Sequence, residues 1–262
     1  MNSKIPELSI IIPAYNEELR LPETLTQICK YVRSSGRETE VIVVDDGSVD
    51  RTVSIAESFC NQIPLLRVLS NGQNRGKGFS VRHGMVQARG RIVLFTDADL
   101  SAPIEEADKL LAALEDHDLA IGSRALNRNL IVVRQSRLRE FAGVVFNLVV
   151  RFFLDLSFVD TQCGFKAFRR EACRIVFDQQ TLEGFGFDPE LLYLAHRHGL
   201  RSVEIPVRWA HSPNTKVNMF RDSLRMFLDV LVIRYNLLAG RYPRAQFRSG
   251  AKEQTAIRFY EG

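Results

Sequence analysis

The chain has 262 residues, a net charge of +4, 45% hydrophobic and 25% charged residues. That balance suits a folded globular chain and excludes disordered, collagen-like and solenoid readings, with no repeat or low-complexity tract found. The mild positive charge gives no ground for nucleic-acid binding, and four cysteines without C-x-x-C spacing argue against a zinc site or disulfide framework.

In chain order, short Ile/Val-rich runs at Leu8 to Ile12, Glu40 to Val44 and Ile92 to Thr96 read as buried strands. Helical periodicity lies between them, over Pro22 to Val32, Thr52 to Cys60 and Phe79 to Ala88. Alternation of this kind predicts a Rossmann-like α/β fold: a mostly parallel sheet with helices on both faces. Beyond Leu119 to Arg124 the pattern changes, and Leu138 to Phe158 and Met219 to Leu238 read as long helices rich in apolar residues. Neither apolar stretch reaches the roughly 20 uninterrupted residues of a membrane span. The start shows no export signal, and a reducing cytosol is the expected compartment. The expected division is a main domain over 1–215, an amphipathic helix over 216–240 and a basic tail over 241–262.

Ligands of such sheets bind beyond the carboxyl ends of the strands, so the residues there carry the functional argument. Asp97 and Asp99 follow the Ile92 run with one residue, Ala98, between them. In extended backbone the two side chains point the same way and can share one divalent cation, Mg²⁺ or Mn²⁺, bridging a nucleotide diphosphate. Asp45 and Asp46 end the second strand; one, with Asp46 favoured, is expected at the nucleotide and the other in the turn. Ser48 or Asp50 is expected to cap the next helix. The glycine-containing segment Asn71 to Gly78 resembles a phosphate cradle, with Arg75 and Lys77 as its cations, but has neither P-loop nor dinucleotide spacing. Arg124, Arg134 and Arg137 offer guanidinium forks for oxyanions. The mixture of glycine, aromatic and charged residues in Asp160 to Lys166 and Phe185 to Glu190 suits a sugar or acceptor pocket, or loop packing. His196 and His198 are two apart on an expected helix and do not form a metal pair.

Together, Ile12-Pro13-Ala14-Tyr15-Asn16-Glu17, Val43-Val44-Asp45-Asp46-Gly47-Ser48, Asn74-Arg75-Gly76-Lys77-Gly78 and Thr96-Asp97-Ala98-Asp99 resemble the inverting family-two glycosyltransferases. Gly122-Ser123-Arg124, Asp160-x-Gln162-x-Gly164-Phe165-Lys166, Phe187-Asp188-x-Glu190 and Trp209 followed by Lys216 are most similar to the dolichyl- or polyprenyl-phosphate glucosyltransferases. The resemblance covers about residues 5 to 238 and implies a GT-A-type fold.

It also implies that Pro13, Tyr15, Glu17, Asp45, Asp46, Arg75, Lys77, Asp97, Ala98 and Arg124 meet the nucleotide sugar. Asp97 and Asp99 would manage the metal and diphosphate, with Arg137 and Lys216 at phosphates of donor or acceptor. Arg134, Gln162, Lys166 and Asp188 would meet the acceptor. Ser101, where mannosyl-transferring relatives tend to have Gln, points to UDP-glucose over GDP-mannose. The expected reaction is inverting transfer of glucose to a polyprenyl or dolichyl phosphate at the cytoplasmic face of a membrane. Other nucleotide sugars, a sugar acceptor and, remotely, sugar nucleotidyl transfer are the alternatives. An anionic phosphate acceptor needs no buried general base, consistent with the lack of a compelling catalytic histidine. The two apolar helices would lie in the membrane interface; helix packing or a homodimer contact is the competing explanation.

Overall fold

The computed structural model describes residues 5–211 and 219–243, leaving out the side chains of 137 and 219–223. Lys216 therefore lies outside the described residues, as do residues 244–262 of the expected tail and the side chain of Arg137.

Among the described residues, seven strands form the main sheet: β1 (Leu8–Ala14), β2 (Thr39–Asp45), β3 (Leu66–Ser70), β4 (Ile92–Phe95), β5 (Leu119–Ser123), β7 (Lys166–Arg169) and β8 (Ser202–Pro206). Their order is β3-β2-β1-β4-β7-β5-β8. All pairings are parallel except those of β7, which runs antiparallel to both β4 and β5. A small second sheet pairs β6 (Ile131–Val133) with β9 (Trp209–Ala210).

The helices are α1 (Leu21–Ser35), α2 (Thr52–Ser58), α3 (Lys77–Gln87), α4 (Ala107–Ala113), α5 (Arg137–Leu154), α6 (Arg170–Gln179), α7 (Phe187–Arg197) and α8 (Met219–Leu238). Alternating strand residues divide the core into two layers, as the period-two geometry of a strand requires. Ile10, Ile12, Val41 and Val43 pack with Leu25 and Ile28 of α1 and Leu110 of α4. Ile11, Ile42, Val44 and Phe95 pack on the other face with Val81 and Met85 of α3, Val176 of α6 and Leu191 of α7.

Two expectations are corrected. The first long helix ends at Leu154, not Phe158, because Asp155 turns left-handed at φ 53°. Leu156 and Phe158 then drop into the core beyond that turn. The basic tail is also not wholly separate: Tyr242 is buried against Tyr193, and its hydroxyl donates to Glu190 at 2.7 Å.

The paired strands set the functional edge. Ala14 lies beside Asp45 and Ile11 beside Phe95, so the residues following β1, β2 and β4 emerge at the same end of the sheet. Antiparallel β7 starts at that end, with Lys166 opposite Phe95, and brings residues 160–165 to it as well.

Candidate active site

The loop after β1 is held by the loop after β2. Ser48 Oγ accepts from Asn16 N at 2.9 Å, Asp50 Oδ2 from Glu18 N at 3.1 Å and Thr52 Oγ1 from Glu17 N at 2.7 Å. Ser48 and Asp50 both hold the loop after β1, where Asn16 adopts φ 52°. Asp50 also serves the start of α2 as expected, its Oδ1 accepting from Thr52 N at 2.9 Å.

The two aspartates after β2 divide their work. Asp45 accepts from Gly47 N at 3.2 Å and Ser48 N at 3.1 Å, closing its own turn. Asp46 is nearly buried and accepts from Asn71 Nδ2 at 2.8 Å, Arg75 N at 2.9 Å and Gly76 N at 2.8 Å. Asn71 in turn takes a hydrogen bond of 2.8 Å from the His83 Nδ1 side, so the chain His83–Asn71–Asp46 pins the glycine-containing loop. Gly76 adopts φ 106°, and a β-carbon there would lie 2.6 Å from the Glu183 carbonyl oxygen. The loop is thus folded directly onto residues 182–184.

Only one of the two expected cradle cations reaches the cleft. Arg75 is corrected: its guanidinium stacks 3.6 Å from the Phe79 ring centroid and pairs with Glu183, away from the lining. Lys77, the first residue of α3, turns inward and places Nζ 2.6 Å from Asp97 Oδ1. Burial weighs against its charge, but Asp97 and then Asp188 outweigh it and hold the ammonium pKa above its ordinary value.

Asp99 carries the second inward carboxylate. Its Oδ1 accepts from Ser101 N at 3.0 Å, and Oδ2 lies 3.7 Å from Arg20 Nη1. Burial, then the neighbouring Asp97 charge, pushes the Asp99 carboxyl above the usual range. Arg20 also grips Glu17 through two bonds of 2.6 and 2.5 Å. Sequence reasoning missed Arg20; its spacing three residues after Glu17 at the start of α1 was the available signal.

These groups line a cleft of about 360 Å³. Pro13, Tyr15, Glu17, Asp46, Lys77, Asp97, Ala98 and Asp99 meet there, together with Arg20 and Phe185. Asp45, Arg75, Arg124, Arg134, Gln162, Lys166 and Asp188 are not part of its lining. Arg124 is locked bidentately to Asp160, both contacts 2.7 Å, and lies over Trp209. Gln162 donates to Met226 Sδ of α8 at 3.0 Å, while Arg134 is exposed beside α5.

The expectation of direct acceptor contact at Lys166 and Asp188 is corrected. Lys166 is fully buried, paired with Asp188 and donating to the Cys163 carbonyl at 2.6 Å. A charge taken out of water needs such a partner, which leaves neither group open to a ligand.

Asp97 and Asp99 have the chemistry of a hard divalent-cation site. Magnesium-like ions use one or two carboxylates, retain water and take phosphate oxygens for the rest. Among the described residues no set of three or more His, Cys, Asp or Glu side chains suits a metal, so the pair fits a cation shared with a diphosphate and not a closed protein cage.

The family model for glycosyl transferase family 2 matches residues 9–177. The chain belongs to that family. This family-two glycosyltransferase is 40% identical over 260 residues to the dolichyl-phosphate beta-glucosyltransferase of Drosophila melanogaster, covering 94% of this chain and 80% of the relative. With the Homo sapiens protein of the same description the identity is 34%, covering 94% and 81%. With that of Saccharomyces cerevisiae it is 35%, covering 90% and 76%.

The fold resembles glucosyl-3-phosphoglycerate synthase from Mycobacterium tuberculosis in complex with UDP, at TM-score 0.65 and 24% identity, covering 87% of this chain and 80% of that one. A complex of that enzyme with Mn²⁺, UDP and glucosyl-3-phosphoglycerate gives 0.62 at 21% identity, covering 92% and 81%. The α/β architecture of the family-two enzyme is thus GT-A-like.

Proposed function

We propose that this glycosyltransferase moves glucose from UDP-glucose to a polyprenyl or dolichyl phosphate, with inversion, at a membrane surface. The observation that carries the reading is the convergence of Asp97, Asp99 and Lys77 with the Pro13-to-Glu17 loop in one cleft. The curated relatives' descriptions supply the sugar and the lipid phosphate.

In this reading Pro13, Tyr15, Glu17 and Asp46 form the nucleotide end. Tyr15 offers a ring face, while Asp46 chiefly fixes the loop that bears Lys77. Asp97 and Asp99 would hold Mg²⁺ or Mn²⁺, which would supply charge stabilisation for the departing diphosphate. Lys77 contributes a second positive charge on the same side, and Arg20 orients Asp99 and Glu17. The acceptor phosphate is itself the nucleophile and already anionic, so its attack on the anomeric carbon requires positioning more than proton removal. Arg124 and Arg134, with Gln162, mark the side from which we expect the acceptor to approach.

The membrane assignment rests on α5 and α8. Phe141, Phe152 and Leu238 are 67%, 82% and 80% exposed, alongside Val144, Leu148, Leu228 and Tyr235. Phe153 of α5 and Phe227 of α8 meet edge to face, joining the two helices. So extensive an exposed apolar surface is characteristic of interaction sites. Arg134, Arg151, Arg225 and Arg234 are exposed on or beside these helices, suited to anionic headgroups. Among the described residues no helix is long and apolar enough to cross a bilayer, so the proposed attachment is peripheral.

The test incubates the purified chain, Mn²⁺ and a short polyprenyl phosphate with UDP-glucose, UDP-galactose, UDP-N-acetylglucosamine or GDP-mannose. An acid-labile glucosyl-phosphoryl lipid from UDP-glucose alone, lost in Asp99→Asn, is the expected result. Product on a sugar acceptor but none on the lipid phosphate would overturn the acceptor assignment.

A further inference from the structure

Asp97 is occupied from both sides. Its carboxylate lies against the backbone of Gly164, where a β-carbon would come within 2.7 Å of Asp97 Cγ. On the other side sits the Lys77 ammonium, 2.6 Å from Oδ1. The Lys77 backbone has little freedom to move, because the preceding Gly76 N–H is held by Asp46 and its α-carbon faces Glu183. The lysine side chain is therefore the movable part.

Charge sharpens the point. Around the cleft stand Lys77 and Arg20 with Asp97, Asp99 and Glu17. A divalent cation arriving by itself at Asp97 would meet the Lys77 ammonium at short range, a like-charge contact that a partly buried site screens poorly. Among the described residues no third His, Cys, Asp or Glu joins the pair to hold a metal, and Asp188, which also acts on Lys77, is itself paired with Lys166. A diphosphate arriving with the cation changes the balance, because it offers Lys77 a new anionic partner when the ammonium gives up Asp97.

We propose that Lys77 acts as an internal stand-in cation on Asp97, so that metal and nucleoside diphosphate bind as a coupled pair through exchange of the lysine from carboxylate to diphosphate. The inference rests on the donor reading above and adds a rule for loading the site. Lys77 opposes the metal while the nucleotide is absent and assists the nucleotide once the metal is present. By linkage, the factor by which UDP tightens metal binding must equal the factor by which metal tightens UDP binding.

The experiment measures Mn²⁺ binding to the full chain by electron paramagnetic resonance, with and without UDP, for wild type, Lys77→Met and Lys77→Arg. Wild type should bind Mn²⁺ weakly alone and at least about tenfold more tightly with UDP, within the usual range of coupling between sites. Lys77→Met should bind Mn²⁺ about tenfold more tightly than wild type without UDP, and UDP should add much less. Lys77→Arg should retain the block, since a guanidinium can also pair with Asp97.

Unchanged Mn²⁺ affinity in nucleotide-free Lys77→Met, with wild-type coupling to UDP, would overturn the exchange while leaving the donor reading intact. Absence of Mn²⁺ binding to wild type even with UDP would instead overturn the metal-dependent donor reading and the exchange with it. Circular dichroism establishes that each variant is folded; should Lys77→Met not fold, Lys77→Gln provides the same comparison.

Discussion

Gly164 and Asp97 are in such close apposition that any side chain at 164 would occupy the space of the Asp97 carboxylate. Gly164 is not in the left-handed region, so the constraint is steric and not conformational. Gly164→Ala is expected to displace Asp97 and reduce glucosyl transfer by about one to two orders of magnitude, a rate loss equivalent to about 1.4–2.7 kcal/mol. Steady-state rates at saturating Mn²⁺, beside a thermal melt, check this. A wild-type rate would show that the carboxylate is not needed where the structure places it.

Asp46 supports its loop through two backbone N–H groups and the Asn71 amide. Asp46→Asn retains one acceptor oxygen in place of two and introduces a donor facing other donors. Stability should fall by about 1–3 kcal/mol, the range for an unsatisfied buried polar group. Hydrogen exchange should accelerate at the amides of Arg75 and Gly76 before it does in β1 or β2. Uniform acceleration across the sheet would count against a local anchoring role.

Arg124 and Asp160 make a pH-dependent clamp. Burial alone would raise the Asp160 pKa, but Arg124 outweighs it and holds the carboxyl below its ordinary range. A carboxylate with a depressed folded pKa contributes stability above its unfolded value of about 3.9, and loses that contribution as pH falls through the lower folded value. Asp160→Asn should cost about 3–5 kcal/mol at pH 7, as expected when one partner of a buried pair is removed. Urea denaturation should show that difference nearly constant down to about pH 4 and shrinking below it.

Glu190 gathers the segment that backs the Gly76–Gly78 loop. It accepts from Thr181 N, Thr181 Oγ1, Leu182 N and the Tyr242 hydroxyl. Tyr242→Phe removes only the last of these and should lower stability by about 1 kcal/mol, with faster exchange at the Thr181 and Leu182 amides. Glu190→Gln, which disturbs more of the set, should do more on both measurements.

The apolar surface is separable from the cleft. Phe141→Asp with Leu148→Asp should abolish sedimentation with anionic vesicles while leaving the melting temperature within a few degrees, because both side chains are exposed. Retained vesicle binding would assign that face to another copy of the chain, which a change in sedimentation coefficient would reveal.

The strands that lead into the cleft were legible because each is a continuous buried apolar run followed by turn chemistry. β1, β2 and β4 lie within a few residues of their expected limits, and Asp97 and Asp99 follow β4, in a turn closed by Leu100 N donating to Asp97 O at 3.1 Å and not in the extended backbone expected. β3 was missed because Leu66 to Leu69 are only half-buried at the sheet edge. β7 was missed because it is four residues long and begins with a buried lysine. Nothing local marks Lys166 and Asp188 as partners; 22 residues separate them in sequence, and only tertiary folding makes them an ion pair. Arg75 and Lys77 look alike as loop cations, and their opposite directions are decided by Phe79 and Glu183 on one side and Asp97 on the other.

The reversed direction of β7 has an architectural consequence. Because this strand departs from the functional edge, the connection leading into it is delivered to that edge, where Gly164 meets Asp97. A change within residues 155–163 would therefore reach the cleft through Gly164 and Asp97 and, because Leu156, Phe158 and Asp160 are buried, the core at the same time.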